Sequence, residues 1–358
     1  MNIAFRADAS TIIGSGHIMR CLSLALYLRN CGCRCIFVCR AFENNLNKYI
    51  VDQGFETIAL GKPTENVDRN DHSTWLGISE DDDVLEFIKT SSNISFDWVI
   101  IDHYGISARW ESVVRQLAKK VAVIDDLANR KHDCDLLVDQ NLGRSPDSYD
   151  ELVDQHSIKL IGPKYALLRD EFSSLRAKAL KKRSAYKGED LNILISYGGA
   201  DLHNLTTKTI ECLINYNLSK FINKLLIVVG PQFYYEAELK RALEKNYLDY
   251  ELIVNADNMA QIMTLADVCI GSAGSSSWER CCLGLPSICI IAAKNQTLIA
   301  ENIEKHSAGF KLTKNKINLD LIKNLYKIFN KNTYQDIVKA SSRICDGQGV
   351  TRVGDLLL

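Results

Sequence analysis

The sequence predicts an α/β protein built from two doubly wound, mostly parallel sheets. Three observations predict it. The 358 residues exceed one ordinary core and suit two domains of roughly 150–200 residues each. Short apolar runs alternate with helical patterns along the whole chain, which is how a parallel sheet covered on both faces reads. The alternation stops in a charged stretch near residues 165–188 and then starts again.

Taken in order, residues 2–8 form a strand that runs straight from Met1, and residues 17–30 a helix. Strands are expected at 33–39, 98–102, 121–125 and 136–139, with a helix over 107–118 between the second and third of these. Residues 73–83 are polar and read as a loop leading into a helix over 84–90. Residues 167–182 read as a helix, followed by Lys181-Lys182-Arg183 and Gly188-Glu189-Asp190. Strands then return at 191–196, 224–229, 250–254, 268–271 and 287–291. The expected division is a first domain over 1–165, a helical linker over 166–188 and a second domain over 189–358. In open α/β sheets ligands bind beyond the carboxyl ends of the strands, so two such halves facing each other are expected to form a central cleft.

Composition narrows the function classes. Apolar residues make up 46% and charged residues 24% of the chain, with a net charge of −1, ordinary for a globular protein and without a global field for nucleic acid or an anionic membrane. No apolar run is long enough to span a bilayer. The twelve cysteines are not arranged as a disulfide framework. Cys31, Cys33, Cys35 and Cys39 crowd one strand, and Cys281 and Cys282 are neighbours. Reduced thiols in a cytoplasm are expected. Cys31-x-Cys33-x-Cys35 lacks the paired spacing of a structural zinc site, and His72, His132, His156, His203 and His306 have no zinc spacing either. No metal and no cofactor are expected.

Three glycine turns follow strands. Gly14-Ser15-Gly16-His17 lets the backbone approach a ligand at a helix start, where N–H groups are unpaired. It does not fit G-x-G-x-x-G, and strand two ends in Cys39-Arg40 rather than an acid, which counts against a dinucleotide. Gly198-Gly199-Ala200-Asp201 and Gly271-Ser272-Ala273-Gly274-Ser275 are the others, and either can cradle a diphosphate or merely close a βα turn. Neither fits a P-loop. Glu279, on the following helix, can accept hydrogen bonds from a ribose diol.

His17 is the catalytic candidate. The positive end of its helix disfavours imidazolium, so the ring is available as a base. Asp8, at the end of the first strand, is the expected orienting carboxylate. Asp102-His103-Tyr104-Gly105 closes another strand. There Asp102 either faces the same site or caps a helix, and His103 and Tyr104 read as sugar contacts. Asp81-Asp82-Asp83 reads as a solvated loop or helix start, and Asp125-Asp126 as a turn or a divalent-ion ligand.

Together these stretches resemble the UDP-2,4-diacetamido-2,4,6-trideoxy-β-L-altropyranose hydrolase family of pseudaminic acid biosynthesis. The likeness runs through Phe5-Arg6-Ala7-Asp8, Ile13-Gly14-Ser15-Gly16-His17-Ile18, Ile101-Asp102-His103-Tyr104-Gly105-Ile106, residues 165–172, Gly198-Gly199-Ala200-Asp201 with Asn204-Leu205, and Lys294-Asn295-Gln296. Gly271-Ser272-Ala273-Gly274, Glu279 and Gly284-Leu285-Pro286 are similar to the nucleotide-binding half of MurG-type transferases. The resemblance implies a GT-B architecture, with UDP held mainly by the second domain and Glu279 on the ribose. It implies His17 as general base and Arg6, Asp8, Gly14, Ser15, Gly16, Arg20, His103 and Tyr104 at the substrate. From the second half it adds Gly198, Gly199, Asp201, Gly271, Ser272, Ala273, Gly274, Ser275, Glu279, Asn295 and Gln296. The implied partners are a UDP-linked diacetamido sugar and water, and the implied reaction is inverting hydrolysis at the anomeric carbon. A GT-B glycosyltransferase is the alternative. Relative to compact members the chain is longer around 64–81 and after 315.

Overall fold

Residues 2–7 form an interior strand of a seven-stranded parallel sheet. The computed structural model describes residues 1–188, 191–199, 201–231, 233–244 and 248–358. Two compact units emerge, one from 1–167 with 348–358 and the other from 168–347.

The first unit runs β1 (Asn2–Ala7), α1 (Gly16–Asn30), β2 (Arg34–Arg40), α2 (Asn47–Asp52), β3 (Glu56–Leu60), α3 (Glu80–Ser91), β4 (Phe96–Asp102), α4 (Ala108–Val114), β5 (Ala118–Ile124), β6 (Leu136–Asp139) and β7 (Ile158–Ile161). The sheet order is β3-β2-β1-β4-β5-β6-β7, so the winding reverses between β1 and β4, where such sheets bind ligands. Strand pleating divides the core in two. Ile3, Phe5, Phe37, Trp98 and Ile100 pack with Leu24 and Leu28 of α1. Ala4, Ile36, Val38, Val99 and Ile101 pack on the other face with Val84 and Phe87 of α3 and Trp110 of α4.

The second unit runs α5 (Asp170–Ser184), β8 (Leu191–Ser196), α6 (Leu205–Asn215), β9 (Ile222–Val229), α7 (Glu236–Glu244), β10 (Tyr250–Val254), α8 (Met259–Leu265), β11 (Val268–Ser272), α9 (Ser276–Cys282), β12 (Ser287–Ile291), α10 (Thr297–Lys305), β13 (Phe310–Thr313), α11 (Leu319–Phe329) and α12 (Lys331–Ile344). Its parallel sheet has the order β10-β9-β8-β11-β12-β13 and reverses between β8 and β11.

The division differs from the sequence reading at both seams. The expected linker, 166–188, contributes α5, which packs on α8, α9 and α12 inside the second unit. The C-terminal helix (Gly349–Leu357) belongs to the first unit, where Val353 and Leu357 join the α1 core and the Trp98 indole N–H donates to the Leu357 carbonyl at 3.0 Å. Glu189 and Asp190, at the expected start of the second domain, and Ala200 of the second glycine turn lie outside the described residues.

Two local expectations also change. α3 opens at Glu80, inside the expected loop, because the Ser79 hydroxyl accepts the Asp82 N–H and Glu80, Asp81, Asp82 and Asp83 sit at the helix's positive end. β3, β7 and β13 are edge strands whose short, mixed sequences carry little apolar signal. All twelve cysteines are free thiols, and only Cys31 is exposed. Among the described residues no helix is long and apolar enough to cross a membrane.

Candidate active site

The pleat of the first sheet decides which strand-end residues meet α1. Ala7 of β1 is level with Asp102 of β4 in parallel register. Ile3, Phe5 and Ala7 face α1, and so do Trp98 and Ile100. The two-residue period therefore puts Asp102 on the α1 face and Asp8 on the opposite one. Between β1 and α1 the chain turns through Gly14, whose φ of +85° favours glycine and whose N–H donates to the Ser10 carbonyl at 2.8 Å. Gly14, Ser15 and Gly16 are exposed, and His17 follows in the first turn of α1.

His17 is 7% exposed. Its Nδ1 lies 2.6 Å from Asp102 Oδ1. A carboxylate only accepts, so Nδ1 carries a proton, and Nε2 is the nitrogen that bears the lone pair whenever the ring is neutral. Arg20, one turn along, grips the same carboxylate with Nε and Nη2, each at 2.6 Å. Its Nη1 reaches Asp126 Oδ2 at 2.6 Å, and the Tyr104 hydroxyl donates to that oxygen at 2.8 Å. Burial alone would raise the Asp102 carboxyl, but Arg20 and His17 carry it well below the usual carboxylate range. The Tyr104 ring meets the His17 ring edge-on with centroids 4.6 Å apart. Asp102, not Asp8, is thus the orienting carboxylate. Arg20 is part of the cluster, but its guanidinium is taken up by two aspartates.

Asp8, Arg6 and His103 are corrected from substrate contacts to buried groups on the opposite face. Arg6 and Asp8 are 0% exposed and His103 2%. Arg6 donates to both oxygens of Asp83, at 2.9 and 3.1 Å, and its Nη1 forms an ion pair 2.7 Å from Asp8 Oδ1. Asp83 also accepts from Arg40 Nη2 at 2.5 Å and from the Trp110 indole at 2.9 Å. Burial would raise Asp83, but Arg6 and Arg40 bring it down to about 2. The solvated reading of residues 81–83 therefore fails at Asp83. His103 Nδ1 accepts the Gly105 N–H at 3.1 Å, and Nε2 lies 3.4 Å from Asp8 Oδ2. Burial, with Arg6 and His17 adding to it against the pull of Asp8, lowers His103 to about 4.

A second tier of charge fixes the turn after β5. Asp139 accepts from the Asn141 N–H at 2.8 Å, Arg144 Nε at 3.0 Å and the Tyr149 hydroxyl at 2.9 Å. Asn141 Nδ2 and Arg144 Nη2 in turn donate to the Asp126 carbonyl at 3.0 and 3.1 Å. Asp125 binds Arg130 Nη1 at 2.7 Å, and Arg130 holds the carbonyls of His103 and Ile106 on either side of Tyr104. Asp125-Asp126 is thus a structural turn with the two side chains on different duties. Among the described residues no group of three or more His, Cys, Asp or Glu is placed to hold a metal.

In the second unit the glycine turns sit at the ends of β8 and β11. Gly198 has φ +85°, and Gly198 and Gly199 are exposed. Asp201 is 8% exposed and caps α6, accepting the Leu205 and Thr206 N–H groups at 2.9 and 2.8 Å, so its carboxylate is occupied by backbone. Gly271, Ser272 and Ala273 are buried. A Cβ on Gly271 would lie 2.3 Å from the Ser196 carbonyl, so that glycine permits β8 and β11 to pair, and the three are corrected from ligand contacts to strand-end packing. Gly274 is half-buried and Ser275 exposed, and Glu279 is half-buried. Burial raises the Glu279 carboxyl against the pull of Arg169 and Arg280. Asn295 is exposed, and Gln296 turns back to accept the Ala292 N–H at 3.0 Å.

Residues 171–345 match the glycosyltransferase family 28 C-terminal domain. An uncharacterized protein of Methanocaldococcus jannaschii is 33% identical over 80% of this chain, which spans 55% of that protein's length. The UDP-2,4-diacetamido-2,4,6-trideoxy-β-L-altropyranose hydrolase of Campylobacter jejuni is 26% identical over 85% of this chain and 97% of its own. Among solved structures, MurG of Acinetobacter baumannii superimposes with a TM-score of 0.68 at 14% identity, covering 99% of this chain and 98% of its own. A glycotransferase of kitacinnamycin superimposes at 0.71, also at 14% identity, covering 99% and 97%. The fold is GT-B, with two Rossmann-like domains.

Proposed function

We propose that the protein hydrolyses UDP-2,4-diacetamido-2,4,6-trideoxy-β-L-altropyranose to UDP and 2,4-diacetamido-2,4,6-trideoxy-L-altrose. The observation that carries this reading is the His17–Asp102 pair. Nδ1 is committed to a carboxylate, and Nε2, which bonds none of the described residues, is free to take a proton from water. The water oxygen bonds to the anomeric carbon as the C1–O bond to UDP breaks and its electron pair leaves with the diphosphate. One displacement inverts the configuration. The positive charge formed on the imidazole is offset by Asp102, itself held ionised by Arg20. The exposed Gly198, Gly199 and Ser275, with the half-buried Gly274, offer backbone to the diphosphate, Glu279 accepts from the ribose, and Asn295 contacts the sugar. The likeness to the Campylobacter jejuni hydrolase over nearly its full length supports the choice of substrate.

The match to a glycosyltransferase domain over 171–345 favours the alternative, transfer of the sugar to an alcohol. Release of UDP from the diacetamido sugar without any acceptor, with an inverted free sugar in the NMR spectrum, separates the two; turnover only with an added alcohol would establish the transferase. Replacing His17 with Asn is expected to lower turnover roughly 10²–10⁴-fold while UDP affinity measured by calorimetry stays unchanged. Undiminished turnover removes His17 from the mechanism.

A further inference from the structure

The segment 64–79, between β3 and α3, folds onto the ring cluster of the His17 site. Its two ends are tied together where the Thr64 and Glu65 N–H groups both donate to the Gly77 carbonyl, at 2.8 and 2.9 Å. Arg69 Nη2 reaches the Thr11 carbonyl at 2.6 Å, in the turn that leads to His17. Trp75 donates to the Asp68 carbonyl at 3.0 Å and packs with Ile13, Phe42, Val67 and Tyr104. The 3₁₀ turn His72–Leu76 lies so close to Gly105 that a Cβ there would meet the Leu76 nitrogen at 3.1 Å and the His72 carbonyl at 3.3 Å. The segment is therefore anchored on both loops that frame the site.

His72 is the polar group this anchoring presents. Its ring contacts Trp75 and Tyr104, with centroids 4.5 and 5.0 Å away. His17 contacts the same two rings at 6.3 and 4.6 Å, so the two imidazoles flank one pair of aromatic side chains. His72 is half-buried, and its nitrogens bond none of the described residues. A half-buried imidazole without a partner has lost water on one side and gained nothing in return, which a ligand group would correct.

We infer that His72 is a specificity-determining residue that hydrogen-bonds an acetamido group of the sugar, an inference that rests on the hydrolase reading above. Burial, then the neighbouring His17 and Arg130, lower its tendency to protonate, so the ring offers one donor and one acceptor. An amide has the same pair, whereas a phosphate would call for imidazolium. Tyr104 beside it supplies an apolar face for the acetyl methyl.

The test uses the full chain with three substrates, the UDP-2,4-diacetamido sugar and the two analogues bearing a free amine in place of one acetamido group. His72→Ala is expected to lower kcat/KM for the diacetamido sugar about 10–100-fold, mainly through KM, and to leave unchanged the analogue that lacks the contacted group. His72→Gln, which keeps a donor and an acceptor, is expected to retain most of the activity. Equal losses on all three substrates, or none, overturn the inference while wild-type turnover keeps the hydrolase reading standing. No UDP release by the wild type overturns the reading and the inference with it. Thermal unfolding of each variant separates a lost contact from a lost fold, and His72→Gln with a wild-type Tm but the alanine variant's kinetics also counts against the inference.

Discussion

Asp102 does for His17 what the sequence reading assigned to Asp8, and the difference is one of parity. Both aspartates stand at strand ends. Only the one in phase with Ile3, Phe5, Trp98 and Ile100 shares a face with α1. Asp102→Asn is expected to cost about 10²–10⁴-fold in turnover with little change in KM, because an amide NH₂ turned toward Nδ1 favours the wrong tautomer. Stopped-flow release of UDP at saturating substrate measures it. A second residue-scale prediction concerns Asp139. Burial, with Asp126 nearby, raises its carboxyl to about 7 despite three hydrogen bonds. Its folded value lies above the unfolded one of about 3.9. The stability it contributes is therefore complete below the ordinary carboxylate range and lost as the pH climbs through about 7, where a buried charge must form. Asp139→Asn does not titrate. Its unfolding free energy relative to wild type is expected to improve by up to about 4 kcal/mol between pH 4 and pH 8, read from urea unfolding across that range. A pH-independent difference refutes the assignment.

Most strands legible in the sequence are buried on both faces, the edge strand β10 at 250–254 being an exception. β1, β4, β8 and β11 carry unbroken apolar runs, and each was placed to within a residue or two. The edge strands β3, β7 and β13 escaped notice because half their residues meet water and their patterns are mixed. In the first turn of α3 the run of acids conceals which carboxylate is buried. Asp83 looks like its solvated neighbours Asp81 and Asp82 until the helix delivers it to Arg6 of β1 and Arg40 of β2. That contact fastens α3 to the sheet through charge, in addition to the apolar packing of Val84 and Phe87. Asp83→Ala leaves two buried guanidinium groups without their shared partner and is expected to destabilise the protein by about 3–5 kcal/mol, measured by urea unfolding. A loss below 1 kcal/mol would mean that Asp8 and Glu86 suffice.

At the scale of the whole chain, the two halves do not divide where sequence composition changes. The chain leaves the first unit at residue 167, builds the second, and returns at residue 348. The returning helix covers apolar surface of α1, and the Trp98 indole depends on its last carbonyl. Ending the chain at Gly347 is therefore expected to destabilise residues 1–167 and spare 168–347. Hydrogen exchange followed by mass spectrometry would show faster exchange in β1, β4 and α1 with β8 and β11 unchanged. Equal effects on both units would argue against this division of the core.

The sequence by itself determined the alternation of strands and helices, the doubling of the α/β pattern, and a histidine placed behind a glycine turn at the start of a helix. These are local properties, set by periodicity and backbone freedom within a few residues. Only the tertiary structure decided what surrounds that histidine. Asp102, Asp126, Tyr104 and His72 are 55 to 109 positions from it in the chain. The first three converge because β4 and β5 follow β1 in the sheet and because pleating sends alternate residues to opposite faces, and His72 joins them because its turn packs against Gly105. The same geometry withdrew Arg6, Asp8 and His103 into the interior, where pairing among charges, not access to a ligand, accounts for their positions.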